Sequence, residues 1–460
     1  MAVSDFAKAR AEIEQREAAL KNENALRQQL AQYRRMNLSF LILSFVLVSF
    51  GLIMLFSASL SSAYADAGDP LYYVRRQFIF TLAGLLAMLG IGQFLDVRLL
   101  NNFSFMLIAY VLTTLLLAAV MFAGTEGEYG AVRWLKLGPI TFQPSEFAKI
   151  SVIYCLSSYF SFVRKMRAGG IWVLSDKVKD QRLEARLMIT YPALALGLWL
   201  VLIVFQPHLS GAVIVFLLSL SIFFVARIPL KIWLSGLLQL LPWFLICVLL
   251  LVIAVPLMRD GQSFFDFIGE KFQHVSQRFD TFNKPDEASA DQIHQVKQSR
   301  YALGSGGLTG KGLGMGLQKS GFLPMVYNDY ILSSIGEELG FIGTSAILFL
   351  FMAYFLVGAG IALNATGIFA PLLSWGAIFL ISLQALLNIA VAAEIIPSTG
   401  ISLPFFSYGG SANFFFLIAV GMILSVSRCA QREDPVLRQL LKRRGPQVRS
   451  DKSKSAAEFK

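Results

Sequence analysis

Long apolar runs recur along most of this 460-residue chain, and short polar segments separate them. Many of the runs approach 20 residues, the length that an α-helix needs to cross about 30 Å of hydrocarbon. The pattern therefore predicts an all-α polytopic membrane protein with about ten transmembrane helices. The predicted spans are 38–60, 77–95, 102–123, 142–162, 188–206, 211–226, 232–257, 328–356, 371–391 and 412–427.

The polar segments divide the chain into a charged N-terminal tail (1–37), a membrane domain (38–427) and a basic C-terminal tail (428–460). The longest polar stretch inside the membrane domain, 258–327, is a large loop between the seventh and eighth spans. With ten spans, 27 of the 40 Lys and Arg residues fall on the side of the two tails. Because cytoplasmic segments are enriched in Lys and Arg, both termini are predicted to be cytoplasmic and the 258–327 loop extracytoplasmic.

Composition agrees with this class, since 56% of the residues are hydrophobic and 15% are charged. The net charge of +11 would suit nucleic-acid binding, but the charges cluster in the tails and one loop. Membrane orientation explains that distribution, so no nucleic-acid partner is expected. Cys155, Cys247 and Cys429 lie in or beside apolar segments and lack metal or disulfide spacing.

Ionisable residues within a predicted span are costly and need an explanation. Glu146 and Lys149 are three residues apart in the fourth span, so they lie on one helical face. One interpretation is a buried ion pair that fixes helix packing. The other is a polar wall of a cavity for a lipid substrate, with Lys149 facing a phosphate. The two interpretations are compatible.

A glycine-rich run, 304–316, ends the large loop. It does not fit a nucleotide-binding loop, because Lys311 is followed by Gly312 rather than Ser or Thr. Its backbone N–H groups could still meet phosphate oxygens. Three carboxylates follow at the start of the eighth span: Asp329, Glu337 and Glu338. They are explained either by solvation at the membrane rim or by a polar cleft for a divalent cation.

Two prolines and three glycines interrupt the helical pattern between Pro397 and Ser411, as irregular backbone does where it is buried in protein or lines a cavity. With the motifs before it, this segment resembles the SEDS family of shape, elongation, division and sporulation proteins (FtsW/RodA/SpoVE). The resemblance covers roughly residues 38–428. The matching residues are Trp134, Gln143 to Glu146 with Lys149, Gln206-Pro207, Gln298-Ser299, Gly304 to Gly316, Gln318-Lys319, Leu323-Pro324, Asn328-Asp329, Gly336 to Gly340 and Pro397 to Ser411.

The resemblance implies a ten-helix fold and a peptidoglycan glycosyltransferase that uses lipid II as donor and acceptor. It also implies a divalent cation (Mg or Mn), no organic cofactor, and a class B penicillin-binding protein (an FtsI-like transpeptidase) as partner, with other divisome proteins. The long charged tails favour a division-type member at the septum of the bacterial inner membrane. The alternatives are an elongation-type polymerase, a lipid II flippase, or a divisome scaffold.

The family's catalytic aspartate lies in the large outer loop, shortly before the Gln-Ser pair. An ungapped alignment puts Ala288 at that position. Ser289-Ala290-Asp291 before Gln295-Val296 instead resembles a division-type subset with one extra residue. We therefore predict that Asp291 is the general base, with Asp286 in reserve. His208 also departs from the family, which usually has Asp after Gln-Pro.

The implied reaction needs a base for the acceptor hydroxyl and positive charge for the departing diphosphate. Candidate metal ligands are Asp291, Asp329 and Glu337. The predicted substrate and diphosphate contacts are Lys149, Glu146, Arg133, Lys136, Gln298, Ser299, Lys319, Ser407 and Tyr408.

Overall fold

The computed structural model describes residues 36–126, 132–138, 140–206, 208–258, 290–319, 326–397 and 400–429, with positions 263, 266 and 269. Most of these residues are helical. The predicted tails lie outside the described residues except for 36–37 and 428–429. So does the first part of the predicted outer loop, including Asp286.

The described helices agree with the predicted order of spans. Their bounds are α1 Leu38–Ala67, α2 Tyr72–Phe94, α3 Phe103–Ala123, α4 Pro144–Ala168, α5 Lys177–Ala185, α6 Tyr191–Phe205, α7 Leu209–Val225, α8 Leu230–Met258, α9 Ala290–Ser305, α10 Ile331–Asn364, α11 Phe369–Ala392 and α12 Gly410–Cys429. A π-helical turn, Arg186–Thr190, joins α5 to α6 as one continuous helix.

Eight helices in the described part of the chain are long and apolar enough to cross a membrane: α1, α2, α3, α5 with α6, α8, α10, α11 and α12. The apolar helix α7 has 17 residues. Helix α4 has 25 residues and includes Glu146 and Lys149. With α7 and α4, ten helices occupy the positions of the ten predicted spans. The predicted fold class, an all-α polytopic membrane protein, is confirmed.

Several helices extend beyond the apolar runs that predicted them. Helix α2 begins at Tyr72 rather than near 77, and α1 continues to Ala67. A helix can continue past the end of an apolar run. Long charged side chains such as Arg75 and Arg76 can reach water from the helix end, so their presence does not end the helix. Hydropathy therefore located the membrane core better than the helix ends.

The two ends of the helix bundle carry different structural elements. We call the end where α1 begins and α12 ends the terminal face, and the opposite end the loop face. At the terminal face the Asn37 N–H donates to Ser427 Oγ at 3.0 Å, which joins the two ends of the membrane domain. The loop face includes α9, the glycine-rich segment and a small antiparallel sheet of β1 Thr125–Glu126, β2 Val132–Leu137 and β3 Ile140–Phe142, in the order β1-β2-β3.

Helices α2 and α12 are in close contact along their length. A Cβ added at Gly84 would lie 2.6 Å from Leu417 Cδ1, and one at Gly421 would lie 3.0 Å from the Met88 backbone. Small residues let two membrane helices approach closely, which is the usual source of packing energy where no water is expelled. This packing places the N-terminus of α12 beside α2 at the loop face.

Candidate functional site

Helix α10 is broken at Gly340, whose φ of 65° and ψ of −162° belong to a region that is essentially restricted to glycine. The break removes the helical bonds from the N–H groups of Phe341 and Ile342 to the carbonyls of Glu337 and Glu338. Unpaired backbone groups at membrane depth cost several kcal/mol each. A broken membrane helix therefore needs other partners for these four groups.

The glycine-rich segment supplies all four partners. The N–H groups of Lys311 and Gly312 donate to the carbonyls of Glu337 and Glu338, each at 3.0 Å. In the other direction, the Phe341 N–H donates to the Gly307 carbonyl at 2.9 Å, and the Ile342 N–H donates to the Leu308 carbonyl at 3.1 Å. The segment thus returns from the loop face and pairs with the gap in α10.

The spacing of the glycines follows from this close contact. A Cβ at Gly306 would lie 1.9 Å from the Gly336 carbonyl oxygen, and one at Gly310 would lie 2.1 Å from the Glu338 carbonyl oxygen. Gly310 also has a φ of +80°. Backbone packing therefore accounts for these glycines. Of the backbone N–H groups considered for phosphate binding, those of Lys311 and Gly312 donate to α10 carbonyls, and that of Gly314 donates to the Glu338 carboxylate.

The Glu337 carboxylate lies inside this arrangement and is fully buried. It accepts hydrogen bonds from Lys311 Nζ at 2.7 Å, from the Leu317 N–H at 2.9 Å and from the Gln318 N–H at 3.1 Å. Solvation at the membrane rim is therefore the wrong explanation for Glu337. We call residues 306–319 together with Glu337 and Glu338 the glycine clasp.

Glu338 is also fully buried and connects the clasp to α1. Its carboxylate accepts from Ser57 Oγ at 2.7 Å, from the Gly314 N–H at 3.2 Å and from the Lys319 ammonium. The ammonium also donates to the Ser57 carbonyl at 3.0 Å. Lys319 is thus engaged inside the protein, and this geometry does not support our prediction that it binds the diphosphate.

Helix α9 leads directly into the clasp and is held by two contacts. Ser299 is buried, and its Oγ lies 2.7 Å from Ser333 Oγ on α10. Arg300 Nε donates to both carboxylate oxygens of Glu394 at 3.0 Å, and this carboxylate raises the pKa of the Arg300 guanidinium. Ser299 therefore anchors α9 rather than facing a ligand, and Arg300 ties α9 to the α11–α12 connection.

Asp291 lies in the first turn of α9, where the structure describes the backbone but not the side chain. By helical spacing, position 291 lies on the same face as Gln298 and Ala302. Ala302 is fully buried. Position 291 is about 12 Å along the axis from Ser299, at a rise of 1.5 Å per residue. The contacts that hold α9 therefore also fix where the backbone of residue 291 lies.

At the start of α4, Lys149 Nζ lies 2.6 Å from Glu146 Oε1, and both side chains are buried. The Lys149 ammonium also lies 5.9 Å from the centre of the Phe416 ring on α12. The predicted buried ion pair is therefore present. The ammonium has a carboxylate and an aromatic face as partners, and contact with a substrate phosphate stays a prediction.

Arg133 and Lys136 both lie on β2 at the loop face. The sheet is attached to α12 through Ser411 Oγ, which donates to the Thr141 carbonyl at 3.0 Å, and through the rings of Phe142 and Phe415. Lys136 is exposed, and Arg133 is half-buried. Of the lysines predicted to contact the diphosphate, Lys136 is the one that reaches solvent in the described part of the chain.

The irregular segment after α11 is ordered by its own side chains. Ser407 is buried, and its Oγ accepts the Leu403 N–H at 2.8 Å. Gln77 on α2 donates to the Ser407 carbonyl at 3.3 Å and accepts the Gly409 N–H at 3.1 Å. This geometry assigns the Ser407 hydroxyl to the fold of the segment and does not support the predicted contact with substrate.

Tyr408, a predicted substrate contact, forms a cluster with Tyr73 and Tyr327, two residues that the sequence did not single out. Its ring centroid lies 5.0 Å from that of Tyr73 and 5.9 Å from that of Tyr327. Tyr327 Oη donates to Tyr73 Oη at 2.9 Å, and Tyr73 Oη donates to Asp66 at 2.6 Å. Tyr73 and Tyr327 are buried and Tyr408 is half-buried, so Tyr408 is the accessible edge of the cluster. Enrichment of tyrosine at span ends was the available signal.

A divalent cation does not fit the described carboxylates as a site made by protein alone. Among the described residues, no group of three or more His, Cys, Asp or Glu side chains comes together. Glu337, a predicted ligand, is instead bound by Lys311. Asp329 is half-buried beside Gly400, where an added Cβ would lie 3.6 Å from its Oδ2.

Comparison with known proteins identifies the family. The sequence model of the cell cycle protein family FtsW/RodA/SpoVE matches residues 37–432. The chain belongs to this family. Relatives of this FtsW/RodA/SpoVE protein include a probable peptidoglycan glycosyltransferase FtsW of Trichlorobacter lovleyi, 31% identical over 86% of this chain and 94% of the relative. Stage V sporulation protein E of Bacillus subtilis is 33% identical over 85% of this chain and 97% of its own.

Solved structures share the fold. The rod shape determining protein RodA of Thermus thermophilus is 24% identical, with a TM-score of 0.56 over 87% of this chain and all of that one. A chain from a peptidoglycan synthase complex, described as coordinating polymerisation and crosslinking, gives a TM-score of 0.59 at 24% identity over 86% of this chain and 99% of that chain. At this identity the likeness establishes the architecture.

Proposed function

We propose that this FtsW/RodA/SpoVE family member is a peptidoglycan glycosyltransferase that polymerises lipid II during septal wall synthesis. The observation that carries the proposal is the pair of contacts, Ser299 with Ser333 and Arg300 with Glu394, that hold α9 and therefore position 291 at the loop face. A rigid support is what a general base needs, because misplacement by about 1 Å can cost a hundredfold in rate. The FtsW relatives, named as probable peptidoglycan glycosyltransferases, support the same activity.

In the proposed reaction Asp291 accepts the proton from the attacking hydroxyl of the acceptor sugar. The hydroxyl oxygen forms a bond to the anomeric carbon of the donor, and the bond from that carbon to the diphosphate oxygen breaks. The electron pair leaves with the lipid diphosphate. Because diphosphate is already a good leaving group, one carboxylate base suffices, unlike the pair of carboxylates in glycosidases.

Positive charge for the diphosphate comes from the loop face in this proposal. Lys136 and Arg133 on β2 are the first candidates, because Lys136 reaches solvent. Lys149 is a weaker candidate, since Glu146 already balances its charge. A divalent cation, Mg²⁺ or Mn²⁺, stays a prediction, and no step above depends on it.

The proposal includes an orientation and a partner. The loop face is extracytoplasmic and both termini are cytoplasmic, as the distribution of Lys and Arg favours, in the inner membrane at the septum. The partner is a class B penicillin-binding protein that crosslinks the new strands. A fold shared with a chain of a synthase complex that coordinates polymerisation and crosslinking supports this choice.

The experiment is polymerisation of purified lipid II by the full-length protein, co-purified with a class B partner whose transpeptidase is inactivated. Asp291→Asn is expected to abolish glycan chains while the unfolding midpoint stays unchanged, and Asp286→Asn is the matched control. Activity lost in Asp286→Asn and kept in Asp291→Asn would make Asp286 the base. If the unmodified protein makes no polymer but moves lipid II across a liposome membrane, it is a flippase, and the proposal fails.

A further inference from the structure

A cavity of about 190 Å³ lies at the terminal face, at the opposite end of the bundle from the glycine clasp. It is formed where α4, α7 and α10 end and α11 begins. Its volume is far above the roughly 15 Å³ that one water requires. The residues that define its character are Arg164, Val225, Arg227, Leu363, Leu372 and Trp375.

Two arginines line this cavity. Arg164 Nη2 donates to the carbonyls of Ala226 and Arg227 at the end of α7, which leaves other N–H groups of the guanidinium for a ligand. The exposed side chain of Arg227 makes no hydrogen bond or ion pair to the part of the chain that the structure describes.

The lining includes no carboxylate, so its donors favour an anion. Glu184 acts electrostatically on Arg164, but its carboxylate is itself hydrogen bonded to Arg167 at 3.3 Å. Arg227 also has a φ of 53°, a conformation that a glycine would adopt more cheaply at this helix end. The residue in this conformation is nevertheless an arginine, and its side chain adds a positive charge to the lining of the cavity.

The apolar walls of the cavity favour a lipid over a dissolved anion as the ligand. Val225, Leu363 and Leu372 give the cavity apolar sides, and Leu363 is 68% exposed at the rim of the bundle, where acyl chains would lie. Guanidinium groups pair well with phosphate oxygens, and arginines beside a membrane attract anionic headgroups. We propose that this cavity binds the phosphate of an anionic membrane lipid, with Arg164 and Arg227 as its donors.

The test is titration of the purified full-length protein, in neutral detergent, with phosphatidylglycerol, following the midpoint of thermal unfolding. Arg227→Gln is expected to weaken the apparent affinity roughly tenfold, since it removes one donor to a charged group. Lys231→Gln is the matched control, because it removes one exposed cation from the same face outside the cavity.

The proposal predicts stabilisation by phosphatidylglycerol but not by phosphatidylcholine or inorganic phosphate. Equal stabilisation by inorganic phosphate would overturn the lipid assignment. Equal affinity in Arg227→Gln and the unmodified protein would overturn the site. An equal loss of affinity in Lys231→Gln would show that general surface charge accounts for the binding, and it would also overturn the site. Unfolding without added lipid verifies that each variant is folded.

Discussion

The Lys319 ammonium hydrogen bonds to the Glu338 carboxylate, and the two side chains are 4% and 0% exposed. The pair joins the glycine-rich segment to α10, and Ser57 connects it to α1. A buried ion pair contributes little compared with apolar packing of the same volume, but loss of one partner leaves an uncompensated charge. A substitution of one member of the pair should therefore lower the stability of the protein far more than neutral substitutions of both members together.

Lys319→Met is accordingly expected to destabilise the protein by about 3–5 kcal/mol, measured as a lower midpoint of unfolding in detergent. The double variant Lys319→Met with Glu338→Gln should recover part of that loss, because it buries no net charge. Lys311→Met is the control and should cost less, since the Lys311 side chain is 28% exposed beside Glu337. Equal losses in the two lysine variants would contradict the prediction.

Gly310→Ala should prevent the clasp from closing. Its Cβ would lie 2.1 Å from the Glu338 carbonyl oxygen, and the residue has a φ of +80°. We expect loss of polymerisation together with protease sensitivity of the segment after α9. Gly304→Ala is the control, because its Cβ meets nothing within 4 Å, and alanine gains up to about 1 kcal/mol in a helix. Similar behaviour of the two variants would show that the close contact with α10 is unimportant.

The spans could be predicted from sequence because apolar length is a local property of the chain. The clasp could not be predicted in this way. It depends on a break in α10, and that break is stabilised by hydrogen bonds to the glycine-rich segment, which is distant in sequence. A signal did exist: Gly306 and Gly310 are four residues apart, and so are Gly336 and Gly340, which is the spacing of small residues at close helix contacts.

Burial of polar side chains was the other part that sequence did not reveal. Glu337 follows an apolar residue and a glycine at a predicted span end, a pattern that fits solvation at the membrane rim as well as burial. Its partner Lys311 is 26 residues away in the sequence. One partner of Glu338 is Ser57, which lies on another helix. Such distant pairs cannot be inferred from local spacing. The i, i+3 pair of Glu146 and Lys149 was predicted because it is local.

Arg300→Gln tests whether the position of α9 matters for catalysis separately from stability. The Arg300 side chain is 70% exposed, so loss of its ion pair with Glu394 should cost at most about 1 kcal/mol. Polymerisation of lipid II should fall much more than stability does, since Glu394 orients the helix that carries Asp291. Arg300→Lys should rescue activity only in part, because lysine lacks the two-pronged contact. Unchanged turnover in Arg300→Gln would rule out this orienting role.

Ser407→Ala separates a structural hydroxyl from one that contacts substrate. The Ser407 Oγ accepts the buried Leu403 N–H at 2.8 Å, so alanine leaves that N–H without a partner at a cost of about 1–3 kcal/mol. We expect a lower unfolding midpoint with an unchanged KM for lipid II at temperatures where the variant is folded. Tyr408→Ala is the comparison, because Tyr408 is half-buried at the edge of the tyrosine cluster and lies next to Ser407. There KM should rise if the ring contacts substrate. A raised KM with unchanged stability in Ser407→Ala would instead restore the substrate contact that the sequence predicted.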